Sequence, residues 1–361
     1  LPEKPKIFGT LNIEVVNTGL CMYCGTCIAS CPVNVIGYSD EEKPVLKGIC
    51  FLCELCYYSC PRIELPINEI EMKIFGRERT QEERVLGIFK AAYAAKALDP
   101  EILKASQDGG VATTLLLQAL EDKIVDYAIV TGVDEKKPWK PIPLIASKKE
   151  ELLKAAGSKY SPGGSVGTVG DAWIGYPEGK FAYVGMPCQI DGIRRMQTSP
   201  KGNNKLGGKV KFTIGLFCFE SYQYSKLFEE KIQKGHGVDL TKVTKVDIKN
   251  NILKLYEGDK VVYEEHVKNL KEFIVSGCIK CQDFTGELAD VSVGAVGASE
   301  KWCAVLVRTE LGEKIFKKAC ETGKLEAKPL DEAGLKIVTK ISEKKKQREA
   351  PYIKFVVTEK I

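Results

Sequence analysis

Histidine is nearly absent: His236 and His266 are the only two in 361 residues, both among lysines and glutamates that read as surface. That scarcity argues against histidine-based catalytic triads and histidine-rich zinc sites. Long apolar runs are missing as well. No stretch approaches the roughly 20 residues needed to cross a bilayer, and the longest, around Phe212 to Phe219, is strand-sized. Neither sign of charge dominates: Lys+Arg 53 against Asp+Glu 48 leaves +5, interspersed along the chain. That balance is too mild for a nucleic-acid surface. No charged-then-apolar segment opens the chain, so no export signal is expected. The 44% hydrophobic share is ample for a packed core and excludes disorder as the dominant state. At roughly 150 residues per domain, the length suggests two or three domains.

Cysteine, by contrast, is abundant: 14 in all, eight of them between Cys21 and Cys60. The first block reads Cys21-Met-Tyr-Cys24-Gly-Thr-Cys27-Ile-Ala-Ser-Cys31-Pro32. The second, 29 residues on, reads Cys50-Phe-Leu-Cys53-Glu-Leu-Cys56-Tyr-Tyr-Ser-Cys60-Pro61. Each is C-x2-C-x2-C-x3-C-P, the spacing of a bacterial ferredoxin. A tight loop with a ligand at every third residue aims three thiolates at three corners of one [4Fe–4S] cube, and the fourth Cys reaches across to the other cube. Cluster one is therefore assigned to Cys21, Cys24, Cys27 and Cys60, and cluster two to Cys50, Cys53, Cys56 and Cys31. A disulfide framework suits small secreted chains; zinc would use two C-x2-C pairs without the third Cys or the C-P ending. Neither explains these blocks. So many thiols without an export signal point to a reducing cytoplasm and to an anaerobe. Residues 1–78 are expected to form a double [4Fe–4S] ferredoxin-like domain.

Beyond it, the charged stretch from Gly76 to Arg84 reads as a linker or exposed helix start, and Val85 to Ala97 has helical apolar spacing. Strand patterns follow at Val125 to Val133, Phe181 to Gly185, Lys209 to Phe217, Val291 to Gly297 and Ala304 to Arg308. Asn250 to Val267 alternates around Glu257-Gly-Asp259 as a hairpin. Helical segments are expected at Glu150 to Ala156 and Leu311 to Cys320, the latter stopped by Gly323. Lys344 to Lys346 reads as a solvated helix tip. The fold class is α+β or mixed α/β, with 79–345 as one large domain and 346–361 as a tail.

Three features there look chemical. Ser106-Gln107-Asp108-Gly109-Gly110 feeds a helix, and a glycine-rich turn at a helix N-terminus offers N–H groups and a positive dipole end suited to pyrophosphate. It is not G-x-G-x-x-G, and a plain capped helix start explains it equally. Next, Cys188, at the end of a strand, Cys218, ending another, and the C-x2-C loop Cys278-Ile-Lys-Cys281 could supply four thiolates to a third cube. Cys303 and Cys320 read as core residues. Last, the near-absence of histidine implies that the chemistry resides in cofactors, which protein groups position and tune.

The C-terminal 280 or so residues resemble the beta subunit of coenzyme F420-reducing hydrogenase and its relatives. The resemblance rests on Ser106-Gln-Asp-Gly-Gly110, Gly185-Met-Pro-Cys-Gln-Ile-Asp-Gly-Ile-Arg194, Gly215-Leu-Phe-Cys218, Cys278-Ile-Lys-Cys281-Gln-Asp-Phe284, Ala289-Asp-Val-Ser-Val-Gly294 and Val305-Leu-Val-Arg308-Thr-Glu-Leu-Gly312, in that order. With a double-cluster ferredoxin segment in front, the chain is similar to the electron-input subunits of archaeal reduced-F420 dehydrogenases, enzymes of methanogenic energy metabolism. The resemblance implies an iron–sulfur flavoprotein with FAD, a third [4Fe–4S] cluster on Cys188, Cys218, Cys278 and Cys281, and the deazaflavin F420 as substrate. It places Ser106, Gln107, Asp108, Gly109, Gly110, Thr113, Ser158, Lys159, Tyr160, Pro187 and Gln189 against the flavin. Hydride transfer runs between cofactors, so no catalytic side chain is implied. Lys159, Arg194, Arg195 and Arg308 are candidates to guide the acidic F420 tail. Many relatives carry Asp where this chain has Ala295, which leaves any role of that carboxylate unfilled. The expected activity is oxidation of reduced F420 by hydride transfer to FAD, with single electrons passed on to a redox partner protein or a membrane dehydrogenase complex. The location implied is cytoplasmic, with peripheral docking on such a complex compatible. Alternatives are a ferredoxin:F420 oxidoreductase, a formate dehydrogenase beta subunit, the front half of a sulfite reductase, or a flavin-free polyferredoxin adaptor.

Overall fold

The computed structural model describes residues 4–354. Its strands, in chain order, are β1 (Ile36–Tyr38), β2 (Pro44–Leu46), β3 (Leu65–Pro66), β4 (Ala91–Ala97), β5 (Tyr127–Val133), β6 (Pro141–Ala146), β7 (Phe181–Gly185), β8 (Val210–Leu216), β9 (Lys245–Lys249), β10 (Ile252–Glu257), β11 (Lys260–His266), β12 (Val291–Gly294), β13 (Cys303–Val307), β14 (Leu325–Pro329) and β15 (Ile353–Lys354). Eight of them form one mixed sheet in the order β14-β4-β13-β12-β8-β7-β5-β6. The middle run β12-β8-β7-β5 is parallel, and antiparallel strands flank it on both sides. Parallel strands need helical crossovers and are buried on both faces. Accordingly Phe212, Ile214, Ala182 and Val291 of this run are wholly enclosed. The carboxyl ends of β7 and β8 open directly onto Pro187-Cys188 and Cys218, so the sheet delivers two cysteines to one rim.

The Val85 to Ala97 stretch differs from its helical expectation, because Ala91–Ala97 is strand β4. Alanine's helix preference is a weak prior, and here the segment is clamped between β13 and β14, pairing Ala95 with Cys303 on one side and Ala327 on the other. The hairpin of β10 and β11 turns at Gly258 as its spacing predicts, and β9 makes it a separate three-stranded sheet. This sheet packs with helix Ser225–Gly235 around Leu253, Leu255, Phe228 and Tyr263.

The N-terminal lobe has little regular structure: the hairpin β1/β2, a few short helical turns, and a small core of Phe8, Leu11, Val15, Ile36 and Tyr57 completed by Cys27, Cys56 and Cys60. Among the contacts that fasten it to the large domain, two lie beside the first cysteine block. Tyr38 Oη donates to the Gly164 carbonyl at 3.0 Å, and the N–H of Val166 donates to the Cys24 carbonyl at 3.2 Å. The segment after the C-terminal helix Glu332–Lys346 is no detached tail through residue 354. Tyr352 is buried, and β15 pairs in parallel with β3; residues 355–361 of the expected tail lie outside the described residues. The solvated helix tip also differs, since Lys345 is 1% exposed. Its ammonium donates to the carbonyls of Cys218 and Asp283, at 2.5 and 2.7 Å. The carbonyls left open around two cysteine loops supply what a buried ammonium needs. Among the described residues, no helix is long and apolar enough to cross a membrane.

Candidate electron-transfer and cofactor site

All fourteen cysteines carry free thiols. Electrostatics sorts twelve of them into three neighbourhoods. Burial pushes the Cys21, Cys27 and Cys60 thiols up, Cys60 to about 12; Cys24 raises all three further, and Cys60 also raises Cys21 and Cys27. Cys56, also pushed up to about 12 by burial, feels Cys53, Cys50 and Cys31. In the large domain, burial again dominates at Cys188, Cys218 and Cys278, the last reaching about 12, with these three and Cys281 acting on one another. Mutual repulsion of buried sulfurs is a cost that bound iron would remove. No three His, Cys, Asp or Glu side chains among the described residues converge on a single metal ion. A cube makes no such demand, because it takes one thiolate at each iron.

Two sulfurs tie the neighbourhoods together. Cys188 feels Cys24 of the N-terminal lobe more strongly than it feels Cys281, Cys218 or Cys278. Cys27, in turn, feels Cys56 of the second ferredoxin group. The three groups therefore run in file, from the large domain through the Cys21 group to the Cys50 group. At the far end Cys53 is exposed, and Ile49 and Phe51 beside it are 83% and 70% exposed. The near joint depends on two glycines. A Cβ at Gly277 would lie 2.5 Å from the Cys21 carbonyl oxygen, and one at Gly192 would lie 2.0 Å from Thr26 Oγ1. Each lets a loop or helix of the large domain come into direct contact with the Cys21–Cys27 loop.

Positive charge collects at this joint. At Cys281 burial raises the thiol, but the Lys345 ammonium and then the Arg62 guanidinium outweigh it and hold the group below the usual thiol range. Neither cation was singled out from the sequence. Arg62 directly follows a C-P ending, which was a usable signal, whereas nothing local marks Lys345.

Most of the residues that the resemblance sets against a flavin form a second patch, where the glycine-rich turn meets the loop after helix Lys149–Ala155. Gly110, at φ +70°, caps helix Val111–Glu121. The backbone N–H groups of Gly109, Val111 and Gly110 face the Cys303 thiol, which burial raises to about 11. The helix start therefore already has a buried sulfur against it, and Cys303 lies in the core of the sheet as its sequence context suggests. Ser106 Oγ, Gln107 Nε2 and Ser161 Oγ are buried without hydrogen-bond partners among the described residues. Three orphaned polar atoms in two adjacent loops suit a polar ligand such as FAD. Tyr160 is anchored outward, its Oη accepting from the Ile248 N–H at 3.1 Å. Asp108 is raised by burial and then by Asp247 of β9, with Lys249 and Lys245 opposing. That strand was missed as a site element, though Lys245-x-Asp247-x-Lys249 places all three on one face. Thr113 lies half-buried on the first turn of the same helix, and Ser158 half-buried in the loop. Pro187 and Gln189 stand apart on helix Pro187–Thr198: Gln189 accepts from Met186 N–H at 2.8 Å and donates to Ser165 Oγ at 3.0 Å.

The basic residues considered for the F420 tail are otherwise engaged. Arg194 donates to Asp290 at 3.0 Å, to Thr213 and to the Leu288 carbonyl. Arg308 donates to Ser292, Thr285 and the Leu86 and Ile88 carbonyls. Arg195 faces Glu64 at 3.3 Å. Lys159, lowered to about 8 by burial, caps its own helix through the carbonyls of Ala155, Ala156 and Gly157. Arginine and lysine next to acidic or carbonyl partners in the fold are indistinguishable in sequence from surface cations. In this patch Lys245 and Lys249, with side chains 43% and 54% exposed, both pair with Asp247, at 3.6 and 3.7 Å.

A ferredoxin lobe whose thiols continue into those of a sheet-based cofactor domain defines an iron–sulfur redox protein. Comparison with known proteins is specific. Residues 178–333 match the C-terminal part, and residues 92–167 the N-terminal part, of the family described as coenzyme F420 hydrogenase/dehydrogenase, beta subunit. Residues 14–37 match a 4Fe-4S binding domain. The beta subunit of coenzyme F420 hydrogenase from Methanothermobacter thermautotrophicus is 38% identical over 266 residues, 73% of this chain and 94% of that one. A polypeptide of the F(420)H(2) dehydrogenase from Methanosarcina mazei is 26% identical over 349 residues, 96% and 95% of the two chains. A solved structure of the F420-reducing [NiFe] hydrogenase complex from Methanosarcina barkeri contains a chain with TM-score 0.69 and 34% identity, covering 73% of this chain and 91% of that one. The chain belongs to the family of coenzyme F420 hydrogenase/dehydrogenase beta subunits, with a 4Fe–4S ferredoxin segment at its N-terminal end.

Proposed function

We propose that the chain oxidises reduced coenzyme F420 and releases the electrons singly, through FAD and three [4Fe–4S] clusters, to a partner protein. The observation that carries this reading is the file of twelve thiols joined at Cys188–Cys24 and Cys27–Cys56. Bound FAD supplies the exchange between a hydride, the deazaflavin's unit, and the single electrons that iron–sulfur clusters accept.

The chain's own residues do the positioning. Ser106, Gln107 and Ser161 offer buried polar atoms to the flavin, while Tyr160 pins its loop to β9. Lys245 and Lys249 stand at the mouth of the patch, where a phosphate or carboxylate tail would meet them. Enclosure of the joint by Met22, Tyr23, Met186 and Val275 keeps water away from the step between the large domain and the Cys21 group. The exposed setting of Cys53 and Phe51 makes the Cys50 group the exit. The match along nearly the full length of a reduced-F420 dehydrogenase polypeptide favours this direction over a ferredoxin:F420 oxidoreductase or a formate dehydrogenase beta subunit.

The test is anaerobic: reduced F420 is added to iron- and flavin-replete protein with a viologen as acceptor. Oxidised deazaflavin together with coloured viologen is the expected result. Neither signal from a fully loaded protein would remove the F420 assignment, and absence of bound FAD would favour an adaptor.

A further inference from the structure

Arg62 is 4% exposed. Its guanidinium lies on the Tyr352 ring, 3.8 Å from the centroid, and Nη2 donates to the Gly277 carbonyl at 3.4 Å. Among the described residues, Nε and Nη1 are buried with no hydrogen-bond partner, and no carboxylate forms an ion pair with the group. Asp191 is within its electrostatic reach, but burial and then Asp283 and Cys281 hold that carboxyl well above the usual range. A buried guanidinium without a counter-ion is strongly unfavourable, so something anionic must face it. Arg62 directly follows the Cys60-Pro61 ending of one thiol group, and the Gly277 that it meets packs on the Cys21 carbonyl. Gly277, its hydrogen-bond partner, adjoins Cys278.

We infer that Arg62 is a positioning residue shared by the large-domain cluster and the Cys21 cluster, the N–H groups of its two unpartnered nitrogens serving the sulfurs of both and its fixed charge raising both reduction potentials. The inference rests on the three-cluster reading above. Arginine suits the place because its planar fork can donate in two directions while its face stacks on an aromatic ring. A cube with four thiolates is net negative, and hydrogen bonds to its sulfurs and nearby charge are the established levers on its potential. Holding both clusters with one cation keeps their potentials close, so an electron meets no deep trap between them.

The experiment is a potentiometric titration of the anaerobically reconstituted full chain, followed by electron paramagnetic resonance, for wild type, Arg62→Met, Arg62→Gln and Arg62→Lys. Wild type must first show iron for three cubes; a deficit there would overturn the three-cluster reading before any variant is compared. With iron complete, both neutral variants should make the large-domain and Cys21 clusters at least tenfold harder to reduce, about 59 mV per electron. The Cys50 cluster should not move, and Arg62→Lys should recover part of the shift at both affected clusters. Unchanged potentials, or a shift at only one of the two, overturn the inference. So does loss of the cubes in all three variants, since Arg62 would then be a scaffold residue alone.

Discussion

The joint between the two lobes can be tested through a single methyl group. Gly192 lies inside helix Pro187–Thr198, where Gly→Ala ordinarily stabilises by about 1 kcal/mol. Here the new Cβ would fall 2.0 Å from Thr26 Oγ1 and 3.3 Å from Thr26 Cβ. Thr26 is wholly buried, and its hydroxyl lies 3.2 Å from Cys24 Sγ, so it cannot turn away without leaving that sulfur. Overpacking of this kind costs about 1–3 kcal/mol, enough to reverse the helix gain. Gly192→Ala should therefore destabilise the wild-type chain by up to about 2 kcal/mol. In a Thr26→Ala background the offending oxygen is gone, and the same change should stabilise by up to about 1 kcal/mol. Anaerobic guanidinium denaturation of the four reconstituted proteins, read by far-ultraviolet circular dichroism, measures both steps. Passage of electrons from the large domain to the viologen should slow in Gly192→Ala alone and recover in the double variant. The same sign of effect in both backgrounds would refute the close approach.

Other changes probe separate parts of the site. Cys188→Ser should abolish viologen reduction by reduced F420 while leaving flavin bleaching intact, as stopped-flow absorbance would show; survival of both would contradict the proposed file. Lys345→Met removes a cation that bridges the Cys218 and Asp283 carbonyls, and should cost about a third of the bound iron, that of the large-domain cluster, by iron assay. Arg79 joins the buried Glu71 and Glu287 at 2.6 and 2.5 Å, so Arg79→Met should destabilise by about 3–5 kcal/mol in denaturant titrations, since it leaves two enclosed carboxylates with less compensation. Iron removal by a chelator should erase hydrogen-exchange protection across residues 8–60, whose core depends on Cys27, Cys56 and Cys60, and leave that of β7 and β8 in place.

The grouping of the thiols was legible because the proposed ligand geometry is largely local: in each ferredoxin block three of the four cysteines assigned to a cluster sit within seven residues. The strands of the central sheet were equally plain, since burial on both faces writes unbroken apolar runs such as Phe212-Thr-Ile-Gly-Leu. Strand β4 was not, because five alanines in seven residues carry a helical preference that only the pairing with β13 and β14 overrides. Function of the cations was least readable. Arg194 and Arg308 have the same charge as any surface arginine, and only the fold reveals Asp290, Ser292 and a set of carbonyls around them. Arg62 and Lys345 gain their meaning from cysteine loops 215 and more residues away for the first, and over 60 for the second.

The return of Tyr352 and β15 to the ferredoxin lobe bears on how the protein is made. Cys60 leaves the ribosome roughly 290 residues before Tyr352, an interval of about 15–60 s at ordinary rates of synthesis. Until Tyr352 arrives, Arg62 has no ring to lie on and β3 has no neighbour. The stacking on Arg62 and the pairing of β3 are thus completed only after residues 352–354 have been made, long after the cysteine loops they adjoin.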